Sequence, residues 1–194
     1  MNSREKILDV IRSNQPAYVD LPVVENFVQP FTDVVEKFKV VLASIGGNAY
    51  ELTDADEIIK ILKQQFNDAK RIVAVTDEFS AHAEIYKAHD DPHKLEDVDV
   101  AIIKAHFAVA ENGAIWVTED QMEERALPFI CQHLAIVIQQ KHIVASMHDA
   151  YDIIGDAGYG FGTFIAGPSK TADIEQSLVL GAHGPKTLTV FLTK

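Results

Sequence analysis

Apolar positions recur along this chain with two spacings, and the succession of the two lays out its elements. Ile7, Val10 and Ile11 fall at helical spacing behind Ser3, an N-cap residue type, and predict a short amphipathic helix that packs on a neighbour. Residues 14–30 hold Pro16, Pro22 and Pro30 among aliphatics, which predicts an extended arm of the kind that crosses subunit interfaces. Phe31, Val34, Val35, Phe38, Val41, Leu42 and Ile45 then repeat with the helical period until Gly46-Gly47 stops them. A short strand over 49–52 follows, and Thr53-Asp54-Ala55-Asp56 has the form of a capping box that opens a helix running to Phe66. The aliphatic run at 71–76 reads as a buried strand, 80–87 as a further helix and 98–103 as another buried strand. This β-α-β alternation predicts an α/β domain on a largely parallel sheet.

Beyond residue 106 the rhythm changes. Apolar runs at 107–110 and 114–118 flank Glu111-Asn112-Gly113, and Asn-Gly between such runs signals an antiparallel hairpin. Strands at 134–138 and 143–144, a helical turn at 150–154, and strands at 164–166 and 188–192 that close the sheet complete the expected order. The chain thus divides into a helix and arm, residues 1–30, and one α/β domain, residues 31–194.

Composition narrows the function classes. With 194 residues and 47% hydrophobic content there is material for one sizeable core. A net charge of -12 without a Lys/Arg-rich run repels polyanions, so no nucleic acid partner is expected. No segment is apolar over the length a membrane span needs, and residues 1–14 lack the continuous apolar core of a secretion signal, so a cytoplasmic location is expected. Cys131 is the single cysteine, which excludes an internal disulfide and a cysteine-ligated cluster or zinc knuckle built from these residues alone. Any redox centre has to come from elsewhere.

Five stretches carry candidate chemistry. His89, Asp90, Asp91 and His93 form a metal-like assortment, but Pro92 breaks the helix that would align them, and the stretch reads as a solvated acidic connector. Cys131 and His133 share one strand face as a thiol and its base would; nothing nearby orients the His, which favours packing roles. Residues 155–162, GDAGYGFG, match neither a dinucleotide fingerprint nor a Walker loop, and stand between a phosphate approach and a mobile loop at a site mouth. Glu111, held beside the hairpin turn at a sheet end, is either a base or nucleophile or an ordinary polar flank. The fifth stretch, residues 167–185, reads GPSKTADIEQSLVLGAHGP: Ser169 or Thr171 is expected to cap a short helix whose first turns hold Asp173 and Glu175. Lys170 is the one cation there, and Gly181-Ala182-His183-Gly184-Pro185 puts an imidazole on a tight turn, so this stretch reads as a pocket wall offering donors and acceptors.

The run from Gly167 to Glu175, followed by Gly181 to Pro185, resembles the signature that ends the lactate-utilisation protein C family, a LUD-domain family. The resemblance extends upstream through Ala108-Val-Ala-Glu111-Asn112-Gly113 and through Leu127-Pro128 to His133, and covers most of the chain beyond residue 30. It implies a three-layer α/β/α fold with a mixed, largely parallel sheet, like that of the ribose-phosphate isomerase and CoA-transferase superfamily. It also implies a component of L-lactate oxidation to pyruvate, with iron–sulfur clusters on partner subunits and none on this chain. Under it, Glu111 and His183 are the catalytic candidates, and Asn112, Gly113, Ser169, Lys170, Thr171, Asp173, Glu175 and Gly184 the ligand-binding ones. The family pattern usually has Thr or Ser where Asn112 stands, and Glu-Asn-Gly is also similar to the turn bearing the catalytic glutamate of CoA-transferases. Two alternatives stay open, a stand-alone acyl- or CoA-handling enzyme and a non-catalytic assembly subunit, and on any reading the N-terminal arm offers a route to a homo-oligomer.

One cysteine and no pair of His on a common helical face imply that the purified protein carries no stoichiometric transition metal. Elemental analysis checks this, and a full equivalent of zinc or iron that resists chelation would refute it.

Overall fold

In a computed structural model, the residues described are 2–20, 33–52, 54–88, 91–174 and 177–194. Helix α1, Ser3–Ser13, is capped one residue earlier than expected: Asn2 accepts from the Glu5 N–H and Glu5 reaches back to the Asn2 N–H, a reciprocal box that Ser3 cannot make from inside the helix. None of its residues is buried, and residues 15–20 have no regular structure, while Pro22 and Pro30 lie outside the described residues. Helix α2, Val34–Ser44, opens where the Asp33 carboxylate accepts from the Val35 and Glu36 N–H groups. It buries Phe38 and Leu42, one helical turn apart. Strand β1, Asn48–Glu51, leads to helix α3, Ala55–Gln65, capped by Asp54 and burying Ile58, Ile59 and Leu62.

Strand β2, Ile72–Ala74, is followed by β3, Glu84–Ile85, where a helix was expected over 80–87. Sheet pairing overrides the local preference here. Glu84 and Ile85 lie beside Val73 and Ala74, and the Tyr86 N–H reaches the Ala74 carbonyl at 2.9 Å. Strand β4, Val100–Lys104, precedes the hairpin of β5, Phe107–Val109, and β6, Ile115–Thr118. Two short helical turns, α4, Glu119–Met122, and α5, Leu127–Ile130, lead into β7, His133–Gln139, and β8, Ile143–Val144. Helix α6, Met147–Ile154, is longer than the turn expected, because Ser146 and Asp149 form a capping box ahead of it. The chain ends through β9, Gly162–Ile165, β10, Lys170–Ile174, β11, Ser177–Leu180, and β12, Thr187–Thr193.

The main sheet has six strands in the order β1-β12-β7-β4-β2-β3, all parallel. Strand β12 does not close it; it runs inside, matched to β7 over seven residues from Thr187–His133 to Thr193–Gln139. Both faces are covered, which is why β4 and β7 read as unbroken aliphatic runs. On one face Val100, Ile102, Ala135, Val137 and Phe191 pack against Ile58, Ile59 and Leu62 of α3. On the other, Ala101, Ile103, Leu134, Ile136 and Val190 meet Phe38 and Leu42 of α2 together with Ala108, Ile115 and Val117. Those last three belong to a second sheet, β8-β5-β6-β9, so the expected hairpin is part of an outer layer. Its opposite face, Phe107, Val109, Ala114 and Trp116, is covered by Ala150 of α6 and its neighbours.

The N-terminal ends of the strands are tied by one carboxylate and one guanidinium. Asp99 accepts from the backbone N–H groups of Lys70 at 2.6 Å and Arg71 at 3.0 Å, and its own carbonyl accepts from the His133 N–H at 2.8 Å. Arg71 holds Glu84 at 2.9 Å, the Lys94 carbonyl at 2.7 Å and Asp97. The two N–H donors hold the Asp99 carboxyl below the usual carboxylate range. A depressed folded-state pKa means the stabilisation is fully present above the unfolded value of about 3.9 and is lost as pH falls through the folded one. Asp99→Asn is expected to cost about 1 kcal/mol at neutral pH and to flatten the loss of stability below about pH 4, as urea titrations at pH 7 and pH 3 will show.

Candidate functional site

Asn112 and Gly113 build the hairpin turn in the expected way. The Asn112 side chain accepts from the Ala114 N–H at 3.0 Å, and Gly113 takes a φ of +72° that other residues rarely adopt. Glu111 is thereby held at the edge of the second sheet, its N–H on the Ala145 carbonyl at 3.1 Å. Its exposed carboxylate accepts from the Met147 N–H, the first of α6, at 2.8 Å. That is a helix-capping position, where the negative charge also suits the helix dipole.

The signature stretch is a hairpin rather than a capped helix. Strands β10 and β11 pair antiparallel, Lys170 beside Leu180 and Thr171 beside Val179. Its stem is clasped by the Ser169 N–H on the Pro185 carbonyl at 2.9 Å and the Gly181 N–H on the Ser169 carbonyl at 3.0 Å. Ser-Lys-Thr followed by acids is what a helix start looks like locally; here the apolar residues Leu178, Val179 and Leu180 return along it and strand pairing prevails. Asp173 lies on β10, and Glu175 lies outside the described residues. Ser169, His183 and Gly184 do come together: with Pro128, Phe129, Phe164 and Leu188 they line a cavity of about 230 Å³. His183 is exposed at its wall.

Glu111, Asn112 and Gly113 are not part of that lining. The two segments instead meet on either side of the end of α2. A Cβ on Gly113 would lie 3.0 Å from Ile45 Cδ1, a Cβ on Gly167 would lie 2.7 Å from the Ile45 carbonyl, and Lys170 Nζ donates to that same carbonyl. Lys170 thus spends its charge on a helix C-terminus, with favourable sign. The remaining sequence candidates sit in packing roles. Burial pushes the Cys131 thiol up to about 12, and His133 donates or accepts at Thr187 Oγ1, 2.9 Å away, while stacking on Phe66 at 3.8 Å. His93 pairs with Asp91 at 2.8 Å on the surface, His89 and Asp90 lie outside the described residues, and no three potential metal ligands converge among the residues described.

Sequence reasoning missed two larger cavities. One, about 510 Å³, lies where Lys104, Gln139 and Thr193 end their parallel strands, with Asp54, Glu78 and His142 around it and Lys104 paired to Glu78 at 3.0 Å. The carboxyl ends of parallel strands are where ligands of such sheets bind, so topology was the signal for it. The other, about 530 Å³, lies between the β5–β6 hairpin and the glycine-dense loop, and gathers His106, Thr118 and Asp120. The hairpin register brings these together: the His106 N–H bonds the Trp116 carbonyl at 3.1 Å, and His106 Nε2 stands 2.5 Å from Thr118 Oγ1. The loop 155–162, open between two readings on sequence, is placed by its residues Gly158, Tyr159 and Gly160 at this cavity wall.

The family model for the LUD domain matches residues 82–193, a span holding every candidate from Glu111 to Gly184. A lactate utilization protein C from Oceanobacillus iheyensis is 26% identical over 183 residues, 81% of this chain and 77% of that protein. Those from Bacillus pumilus and Bacillus subtilis are 32% and 30% identical over 46% and 51% of this chain. The matched segments span less than half of these two relatives, 40% and 44% of their length. A crystal structure of a DUF162 family protein from Deinococcus radiodurans has the same fold, with a TM-score of 0.61 at 17% identity over 83% of this chain and 96% of that one.

Glu111→Ala is expected to lower stability by about 1 kcal/mol through the lost cap on α6. Glu111→Gln, which keeps an acceptor for the Met147 N–H, should lose less than half of that; equal losses in thermal melting would refute the capping role.

Proposed function

The chain belongs to the LUD domain family, and from that premise we propose that it is a component of an L-lactate utilisation system. The alignment to the Oceanobacillus iheyensis lactate utilization protein C over 81% of this chain is the observation that carries this reading. Oxidation of L-lactate to pyruvate releases two electrons and two protons per molecule, and the electrons need an acceptor. Its one cysteine is buried with a thiol pushed up to about 12, so this chain offers no thiolate set for a cluster. We therefore assign the iron–sulfur clusters to partner subunits, and to this chain the handling of a small molecule in the cytoplasm beside them. No helix among the described residues is long and apolar enough to cross a membrane.

Within that role the small cavity of Ser169, His183 and Gly184 is the site we favour for the ligand. His183, exposed on its wall, is the group placed to exchange a proton with that ligand. Ser169 enters it from the start of the hairpin that Lys170 anchors on the Ile45 carbonyl, and Glu111 with Asn112 and Gly113 fixes the end of α2 and the start of α6. In the acyl-transfer alternative Glu111 would attack through Oε1, since Oε2 accepts from the Met147 N–H. Self-association would use the exposed stripe of Ile7, Val10 and Ile11 on α1.

Deleting the gene is expected to abolish growth on L-lactate as sole carbon source while leaving growth on pyruvate unchanged. Complementation with His183→Ala should fail although the variant melts within about 2 °C of the parent, since an exposed side chain contributes little to stability. Normal growth of the deletion strain on L-lactate would sink the lactate reading, and full rescue by His183→Ala would sink the assignment of His183.

A further inference from the structure

The larger cavity beside the β5–β6 hairpin is built differently from the one just assigned. Phe107, Trp116, Tyr159 and Ile154 form an aromatic and aliphatic wall, and His106, Thr118 and Asp120 stand together at its polar end. Trp116 is 8% exposed, and Tyr159 meets it edge-on at 5.3 Å with the ring planes at 89°. The glycine-dense loop lies directly on this wall: a Cβ on Gly162 would fall 2.5 Å from the Trp116 ring. We propose that this cavity binds an uncharged nitrogen heterocycle that presents N–H donors to His106 and Asp120.

Hydrogen-bond bookkeeping carries the chemical class. Thr118 is 3% exposed, and its hydroxyl, with one proton, donates to Asp120 Oδ1. The 2.5 Å contact with His106 must then be an Nε2–H donating to the Thr118 oxygen. In the neutral imidazole this leaves Nδ1 as an acceptor, and no partner for it exists among the described residues. Asp120 Oδ2 accepts from the Gln121 amide at a long 3.4 Å, and among the described residues no other side chain donates to it. Two acceptors are thus left open at the polar end, and a ligand that fills them has to donate. Charge points the same way. Arg125 pairs with Glu119 at 2.6 Å, so the uncompensated charge is the Asp120 carboxylate, faced by His106 at 3.6 Å. An anion would meet that carboxylate, whereas an uncharged heterocycle stacks its π-face on the aromatic wall and turns its N–H edge to the acceptors. The inference is independent of the lactate reading and of the cavity assigned to it.

Trp116 is the single tryptophan, so fluorescence of the full chain reports on this wall directly. Adenine, hypoxanthine and nicotinamide are the probes, with L-lactate and inorganic phosphate as anionic comparisons. At least one heterocycle is expected to quench saturably, and His106→Ala and Asp120→Asn to weaken that binding about ten-fold, the order of effect of removing one hydrogen-bond partner. Thr118→Val keeps the buried shape while breaking the relay, and should weaken binding even if either other variant folds poorly. Absence of saturable quenching by all three heterocycles overturns the proposal. So does quenching undiminished in Thr118→Val and Asp120→Asn, or saturable quenching by the anions alone.

Discussion

A parallel sheet covered on both faces admits almost no polar side chain between its ends, and the rest of this molecule follows from that constraint. In β4, β7 and β12 the buried positions are aliphatic or aromatic, with Thr189 the buried polar exception. Polar work is therefore exported. At the N-terminal ends it becomes structural, where Asp99 and Arg71 fasten three strands and the connector before β4. At the opposite ends the strands stop at Lys104, Gln139 and Thr193 and leave a crevice.

Covering the second face with a sheet instead of helices has a further consequence. A helix can turn a polar face to water, but β5 and β6 are apolar on both faces, one toward Ile103 and Leu134 and one toward α6. The outer face must itself be covered, and α6 with the loop behind it does so. Glu111 fastens the first N–H of α6, while Ile153 and Ile154 at the other end of that helix line the aromatic cavity. A glutamate that looks like a reactive group in sequence thus governs a cavity wall from a distance, by positioning a helix.

What was legible in the sequence was local. Asp54 and Asn112-Gly113 announce their helix and hairpin because caps and tight turns are decided within a few residues. The aliphatic runs of β4 and β7 announce burial on both sides. Two segments misled for a shared reason: 80–87 and 169–175 carry helix-like caps, and their strand state comes from partners at Val73 and Ala74 and at Val179 and Leu180. The meeting of Ser169 with His183 was reachable through family resemblance. Grouping His106 with Thr118 and Asp120 required knowing the hairpin register, since one residue of slip would send His106 to the other face.

The two cavities of the second sheet also share a wall. Phe164 on β9 lines the cavity of Ser169 and His183, and its ring lies 4.7 Å from that of Trp116, which lines the other. Strands β6 and β9 hold these two residues opposite each other in register, so neither ring can shift without displacing its neighbour in a close-packed layer. Phe107 and Tyr151 close on Phe164 edge-on at 6.2 Å and 6.0 Å and leave it little room to rotate. A ligand that reoriented Trp116 would therefore reshape the cavity beside His183 as well, through contact between two rings and without movement of the parallel sheet beneath them.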